Sequence, residues 1–345
     1  MLSNLSLPTT DPAQLLRFRD RQFAAELLAV AIVEFDLFSW IKRNEGVDSQ
    51  AIAREFQVHA RPLDVLLTLS RASGLIRTDS TGAHYLTKMG EEYLVVGSPW
   101  FLGPYYQPLR GNSAYDGFVR VLRTGKPANW QAKAGGNDWH ESMLDPEFAK
   151  SFTELMNCRG ITFGQYLAEA LEPHLQMRRR VLDVGGGSGI YAIALAARYP
   201  QVEAQVLEQP PVDRIANGYI RSMGMEGRVS VVSMDMFAQQ WPASDVILLS
   251  NVLHDWDIPE VRQLLSKASQ SLSAGGMVVI HDAFIDDDKS GPLPVAEYSA
   301  TLAHITQGKC YSAQEYRELL SEFGIVAESY QATIGDRGFL VAFKK

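Results

Sequence analysis

The sequence predicts a Rossmann-like α/β domain preceded by a mainly helical domain of winged-helix character. Two observations carry this. After Arg180, strand-like and helix-like segments alternate to the end of the chain, the pattern of a parallel sheet with helices on its faces. Before Arg180 the apolar residues recur at helical spacing, with one short hairpin signal among them.

The first half is read as follows. Ala13 to Arg43 places Leu15, Phe18, Phe23, Leu27, Leu28 and Ile32 at helical intervals and ends in Phe35, Phe38 and Trp40. So much apolar surface exceeds one buried face, and part of it is expected against a second subunit. Helices follow at 49–56 and 61–72, with Pro62 near the start of the second, where its missing N–H costs nothing. Two strands at 75–78 and 84–87 turn through Asp79–Gly82. A winged helix raises DNA binding, but the 61–72 helix offers only Arg61 and Arg71 among apolar residues, a packing surface and not a groove reader. The expected boundaries are a dimerisation domain at 1–98, an aromatic-rich helical linker at 99–174 able to wall an acceptor pocket, and the α/β domain at 175–345. In the linker, Arg110, Arg120 and Arg123 are available to an acidic ligand, with a solvated helix face as the plainer reading for each.

The second half predicts strands at 181–184, 203–207, 228–233, 245–249 and 276–281, helices at 190–199, 212–222 and 259–272, and a last antiparallel pair near 325–330 and 338–343. Its most informative segment is Val181-Leu-Asp-Val-Gly-Gly-Gly-Ser-Gly-Ile190. Glycines at a strand-to-helix turn let a ligand lie against bare backbone at a helix N-terminus. Glu208 ends the next strand, placed to accept from ribose hydroxyls. Both features suit NAD and S-adenosylmethionine alike. The spacing Asp183-x-Gly185-x-Gly187-x-Gly189 separates them: the dinucleotide fingerprint has other glycine intervals and no acid in the strand. Asp183 would repel a pyrophosphate and can hold the ammonium of S-adenosylmethionine, directly or through water. At Met234-Asp-Met-Phe237, Asp235 is expected to accept from the adenine amino group while Met236 or Phe237 covers the ring.

Composition sets outer limits. The chain has 345 residues and a formal charge of −8, which disfavours a broad phosphate-binding face. Cys158 and Cys310 are too few for a disulfide framework, no apolar run reaches spanning length, and the N-terminus lacks a signal-peptide pattern. A cytoplasmic protein with a small-molecule partner, no nucleic acid and no membrane is expected.

The segment Leu249-Ser250-Asn-Val-Leu-His254-Asp255-Trp256, taken with the glycine turn, Glu208, Met234–Phe237 and Gly275-Gly276, resembles the caffeate and hydroxyindole type of S-adenosylmethionine-dependent O-methyltransferase across essentially the whole chain. The resemblance implies the class I methyltransferase fold, a homodimer through the N-terminal winged helix, and a cofactor site including Ser250. It makes His254 the general base for a hydroxyl or phenol, with Asp282 as the first of two orienting acids. The second acid falls in a segment that here reads Gly308-Lys-Cys310-Tyr-Ser, with cysteine in its place.

A second departure is His304, four residues before Gly308. With His254 and Asp255 it would complete two imidazoles and a carboxylate, the donor set of a facial metal triad. C-methyltransferases of 2-oxo acids in the same broad family have this look. The leading expectation is therefore C-methylation beside the keto group of a 2-oxo acid, with iron or zinc holding the enolate. The alternative is O-methylation with His254 as base. His304 also has a plain reading as a core histidine.

Overall fold

The computed structural model describes residues 7–128 and 142–345. Trp130, Trp139 and Gly135-Gly136 of the expected linker lie outside them. The chain divides into two compact units, one of Leu15–Asp138 with Ile285–Ser312, the other of Met1–Gln14, Trp139–Phe284 and Ala313–Lys345.

The first unit is helical. The segment expected as one helix from Ala13 to Arg43 is broken into Ala13–Asp20, Ala24–Ala29 and Leu37–Arg43. Between the last two, Val30–Glu34 winds as a π-turn in which the Phe35 N–H reaches back to the Val30 carbonyl, and Asp36 then takes a left-handed conformation at φ 44°. The wide turn and the reversal let Leu27, Ile32, Phe38 and Ile41 all face inward, none more than 4% exposed. Full burial of each contributes roughly 1.5–3 kcal/mol. Helices Ser49–Phe56 and Ala60–Ala72 follow, then the hairpin of β1 (Ile76–Thr78) and β2 (His84–Leu86). Asp48 caps the first of these helices by accepting from the Ala51 N–H.

Arg61 donates to the carbonyls of Gly308 and Gly125 at 2.8 Å each, and Arg71 donates to the Lys289 carbonyl at 3.1 Å. Both arginines of the suspected recognition helix therefore bind their own unit. Asp64, from the same helix, accepts from Lys289 and Lys309, which hold its carboxyl well below the usual range against the opposing effect of burial.

The second unit is the α/β domain. Strands β3 (Arg180–Val184), β4 (Glu203–Glu208), β5 (Val229–Ser233), β6 (Ser244–Ser250), β7 (Leu272–Asp282), β8 (Ile325–Ala327), β9 (Gln331–Ala332) and β10 (Gly338–Lys344) form one sheet. Its order is β5-β4-β3-β6-β7-β10-β8, with β9 paired to β10. The first five in that order are parallel, and the central β6 and β7 are buried on both faces, as Val246–Leu249 and Val278–Ile280 show at no more than 1% exposure. β10 runs antiparallel between β7 and β8, in a register that pairs Gly338 with Asp282. The carboxyl ends of β3, β4, β6 and β7 thus lie along one edge, where ligands of such sheets bind. Among the described residues no helix is long and apolar enough to cross a membrane.

Candidate active site

The turn after β3 requires its glycines. Gly185, Gly187 and Gly189 have φ of 64°, 59° and 76°, a region that costs other residues roughly 1–2 kcal/mol. A Cβ on Gly185 would stand 3.1 Å from Val252 Cγ2, and one on Gly186 only 2.6 Å from Asp183 Oδ2. Gly187 differs, since nothing lies within 4 Å of where its Cβ would point. Bare backbone facing open space at the start of helix Ile190–Arg198 suits a ligand pressed against the chain.

Two carboxyls brace this turn. Asp183 is 1% exposed, and its Oδ2 accepts from the Ala192 N–H at 3.3 Å while Oδ1 has no hydrogen-bond partner among the described residues. Burial pushes its pKa up to about 7. Glu208 Oε1 accepts from the Gly187 N–H at 2.8 Å and Oε2 from the Gln209 N–H at 3.2 Å. Burial, only partly offset by these bonds, raises Glu208 to about 7 as well. A third brace was not anticipated: Ser188 Oγ donates to Asn157 Oδ1 at 2.7 Å, tying the turn to helix Pro146–Ala170. That helix comes so close that a Cβ on Gly160 would meet Ile190 Cγ2 at 2.5 Å.

After β5, Asp235 Oδ1 accepts from the Phe237 N–H at 2.8 Å and the Met236 carbonyl accepts from Trp241 Nε1 at 2.9 Å. The Met236 sulfur, 3.8 Å from the same point beside Gly185, borders the glycine turn. Phe237 sets its ring against Trp256, with centroids 4.7 Å apart. At the end of β6, Ser250 Oγ and His281 Nδ1 are 2.8 Å apart, and Asn251 Nδ2 donates to Ser250 Oγ and Tyr191 Oη at 3.1 Å each.

Asn251 reverses the chain at φ 53° and delivers the short turn Leu253–Asp255. His254, 3% exposed, hydrogen-bonds through Nδ1 to Asp282 Oδ1, which also accepts from the Ala283 N–H at 2.7 Å. With Asp282 ionised the proton belongs on Nδ1, so Nε2 is the basic nitrogen. Burial alone would lower the His254 pKa, but the carboxylates of Asp282 and Asp255 outweigh it and the net direction is up. Asp255 Oδ1 lies 3.6 Å from Nε2, and burial raises this carboxyl to about 6. Neighbouring His281 points elsewhere, as strand alternation requires, and burial lowers it to about 3, so it is neutral.

His304 is packed among aromatic side chains of its own unit. Its ring stacks on Phe23 with centroids 4.3 Å apart and meets the edge of Phe118 at 4.9 Å, while Nε2 is 2.5 Å from where a Gly117 Cβ would be. Burial lowers its pKa to about 4. Among the described residues no group of three or more His, Cys, Asp or Glu side chains gathers to hold a metal ion, which leaves the expected triad of His254, Asp255 and His304 without support. Cys310 is buried, with its N–H on Ser299 Oγ at 3.0 Å. The three linker arginines are engaged within their own unit, Arg110 with Glu34 at 3.2 Å, Arg120 with the Ala128 carbonyl at 3.5 Å, and Arg123 with the Phe56 carbonyl.

Comparison with known proteins decides the family. The O-methyltransferase domain family matches residues 115–326. The chain belongs to that family. This methyltransferase is 31% identical to 3-hydroxy-5-methyl-1-naphthoate 3-O-methyltransferase of Streptomyces sahachiroi over 85% of the chain and 84% of the relative. It is 28% identical to L-tyrosine C(3)-methyltransferase of Streptomyces lavendulae over 87% and 83%. The crystal structure of an O-methyltransferase family 2 protein from Planctomyces limnophilus in complex with apigenin superposes on it with a TM-score of 0.87 at 28% identity, covering 99% and 98% of the two chains. The methyltransferase is thus an S-adenosylmethionine-dependent enzyme acting on a small molecule, with the class I fold and a helical N-terminal region.

Proposed function

We propose that the methyltransferase moves the methyl group of S-adenosylmethionine to a hydroxyl on a small aromatic acceptor, with His254 as general base. The observation that carries this reading is the His254–Asp282 hydrogen bond, which fixes the ring and leaves Nε2 basic. S-adenosylmethionine, when bound, supplies an electrophilic methyl on a sulfonium. Gly185, Gly187 and Gly189 bare the backbone for it, Glu208 accepts from its ribose, Asp235 with Met236 and Phe237 receives the adenine, and Asp183 and Ser250 hold the surrounding turns. Nε2 takes the acceptor proton as the oxygen attacks, and Asp282 stabilises the imidazolium that results.

The two relatives named above act on a hydroxynaphthoate and on tyrosine, both phenolic and both carrying a carboxylate. A phenolate formed by the same base can deliver an ortho carbon instead of oxygen, so the tyrosine C-methyltransferase supports C-methylation of a phenol as a second reading. Methylation beside the keto group of a 2-oxo acid drew on the metal triad and loses that support. A homodimer through the N-terminal unit is also proposed, because Leu15, Phe18, Val96, Trp100 and Tyr105 there are each at least 59% exposed.

The test is His254→Ala and His254→Gln assayed with hydroxylated aromatic acceptors. Loss of kcat by about 10²–10⁴-fold with S-adenosylhomocysteine affinity unchanged is expected for a lost general base. Turnover within threefold of wild type would sink the reading.

A further inference from the structure

Asn251 joins the glycine turn to the base, and the methyl transfer described above gives it no part. It is the first residue after β6 and turns the chain at φ 53°, a left-handed conformation that asparagine tolerates better than most side chains. Its N–H donates to the His281 carbonyl at 2.8 Å, which fixes it to β7 one residue before Asp282. Its carboxamide reaches the cofactor turn, where Nδ2 donates to Tyr191 Oη and to Ser250 Oγ at 3.1 Å each. Tyr191 stands in the first turn of helix Ile190–Arg198, directly behind Gly189. The next residue, Val252, closes against the same turn, with Cγ2 3.1 Å from where a Gly185 Cβ would stand. His254 follows two residues later.

Burial makes these bonds difficult to exchange for water. Tyr191 is 7% exposed, Ser250 8% and His281 0%, and Ser250 Oγ lies 2.8 Å from His281 Nδ1, so the contacts run unbroken from the helix to β7. In such a buried network the loss of one member leaves the others short of a partner, and the members hold their positions together. A ligand pressed on the glycine turn restrains the start of the helix, and Tyr191 with it. Through Asn251 that restraint reaches the backbone that carries His254. An acceptor binding second then has less of the site to order, which is positive coupling without any new contact.

We propose that Asn251 is a positioning residue that couples the two ligands: cofactor on the glycine turn holds the His254 turn in place, and each ligand binds better in the presence of the other. This rests on the reading of the site given under Proposed function. The Asp255 and Trp256 N–H groups donate to the Val252 and Leu253 carbonyls at 3.1 and 3.2 Å, so their exchange with solvent deuterium reads how often that turn opens.

Hydrogen exchange with and without S-adenosylhomocysteine, followed by mass spectrometry, tests this on wild type, Tyr191→Phe and Asn251→Gly. Tyr191→Phe removes only the phenolic oxygen, and Asn251→Gly keeps the left-handed backbone while deleting the carboxamide. In wild type the ligand should slow exchange at 185–192 and also at 252–256, the latter by at least about fivefold, the low end of such couplings. Both variants should keep the protection at 185–192 and lose it at 252–256. In turnover they should raise the acceptor KM by about 5- to 150-fold, more than they lower kcat, with S-adenosylhomocysteine affinity within about threefold of wild type. Protection at 252–256 that survives in Tyr191→Phe would overturn the inference, whatever Asn251→Gly does. So would a wild type that protects 185–192 alone, an acceptor KM unmoved in both variants, or variants that lose both segments together, the mark of a merely structural role. Because the exchange arm needs neither acceptor nor proton transfer, it gives the same answer if His254 proves not to be the base.

Discussion

Glu208 and Gly187 are joined by a 2.8 Å hydrogen bond from the glycine N–H to Oε1, so the carboxyl proposed to meet the ribose is itself what shapes the glycine turn. Burial holds Glu208 at about 7, and its protonated form accepts poorly. The folded pKa is above the ordinary 4.5, so the cofactor-free fold favours the proton and loses stability as pH climbs from about 4.5 towards about 7. Ribose hydroxyls reward the charged form. S-adenosylhomocysteine should therefore bind more tightly as pH rises from about 6 to about 8. Calorimetric titration across that interval checks this, and Glu208→Gln should give a weaker affinity with a flatter profile.

The base makes a second pH prediction. His254 is raised above its ordinary 6.5, and only the neutral ring accepts a proton. Activity should fall as pH drops through a value above 6.5, and Asp282→Asn, by removing the charge that raises it, should move this acid limb downward as well as slow turnover. An unmoved limb in the variant would separate Asp282 from the titrating group.

The glycine turn separates folding from binding. Gly186→Ala puts a methyl 2.6 Å from Asp183 Oδ2 and 3.0 Å from Val206 Cγ1, and should destabilise the domain by several kcal/mol. Gly187→Ala meets only its left-handed backbone, a cost of roughly 1–2 kcal/mol, because its Cβ would enter open space. Thermal unfolding should show the first variant far below the second. Cofactor titration should show the second folded but impaired in binding, since that open space is what the ligand is proposed to fill.

How much of this was legible beforehand follows from the range of each interaction. The strands from β3 to β6 were readable to within a residue or two, because apolar runs and glycines act locally. That His281 and Asp282 face opposite ways follows from strand alternation, while Asp282 itself was singled out by the resemblance. The break near Phe35 was not legible, since its apolar spacing is helical on both sides and the π-turn answers to packing. Nor was Ser188–Asn157, or the seating of Arg337 on Phe163, for no motif announces contacts between residues 31 or 174 positions apart. The surroundings of His304 were hidden for the same reason. Its spacing from Gly308 suggested a ligand, while the ring's surroundings are set by Phe23 and Phe118, far away in the chain.

The core reading of His304 has its own test. His304 is 8% exposed and lowered by burial from 6.5 to about 4, so the unfolded chain takes up the proton first as pH falls. Its contribution is therefore present above 6.5 and is lost progressively on acidification towards about 4. His304→Ala should cost about 2–4 kcal/mol at neutral pH, because it empties the space against Phe23 and Phe118. His304→Leu should keep most of the packing at neutral pH and exceed the wild type in stability at about pH 5, having no group to protonate. Elemental analysis of the untagged wild type and both variants should find no stoichiometric iron or zinc, in keeping with the absence of a three-group cluster among the described residues. A bound metal that disappears in either variant would restore the triad and with it the 2-oxo acid chemistry.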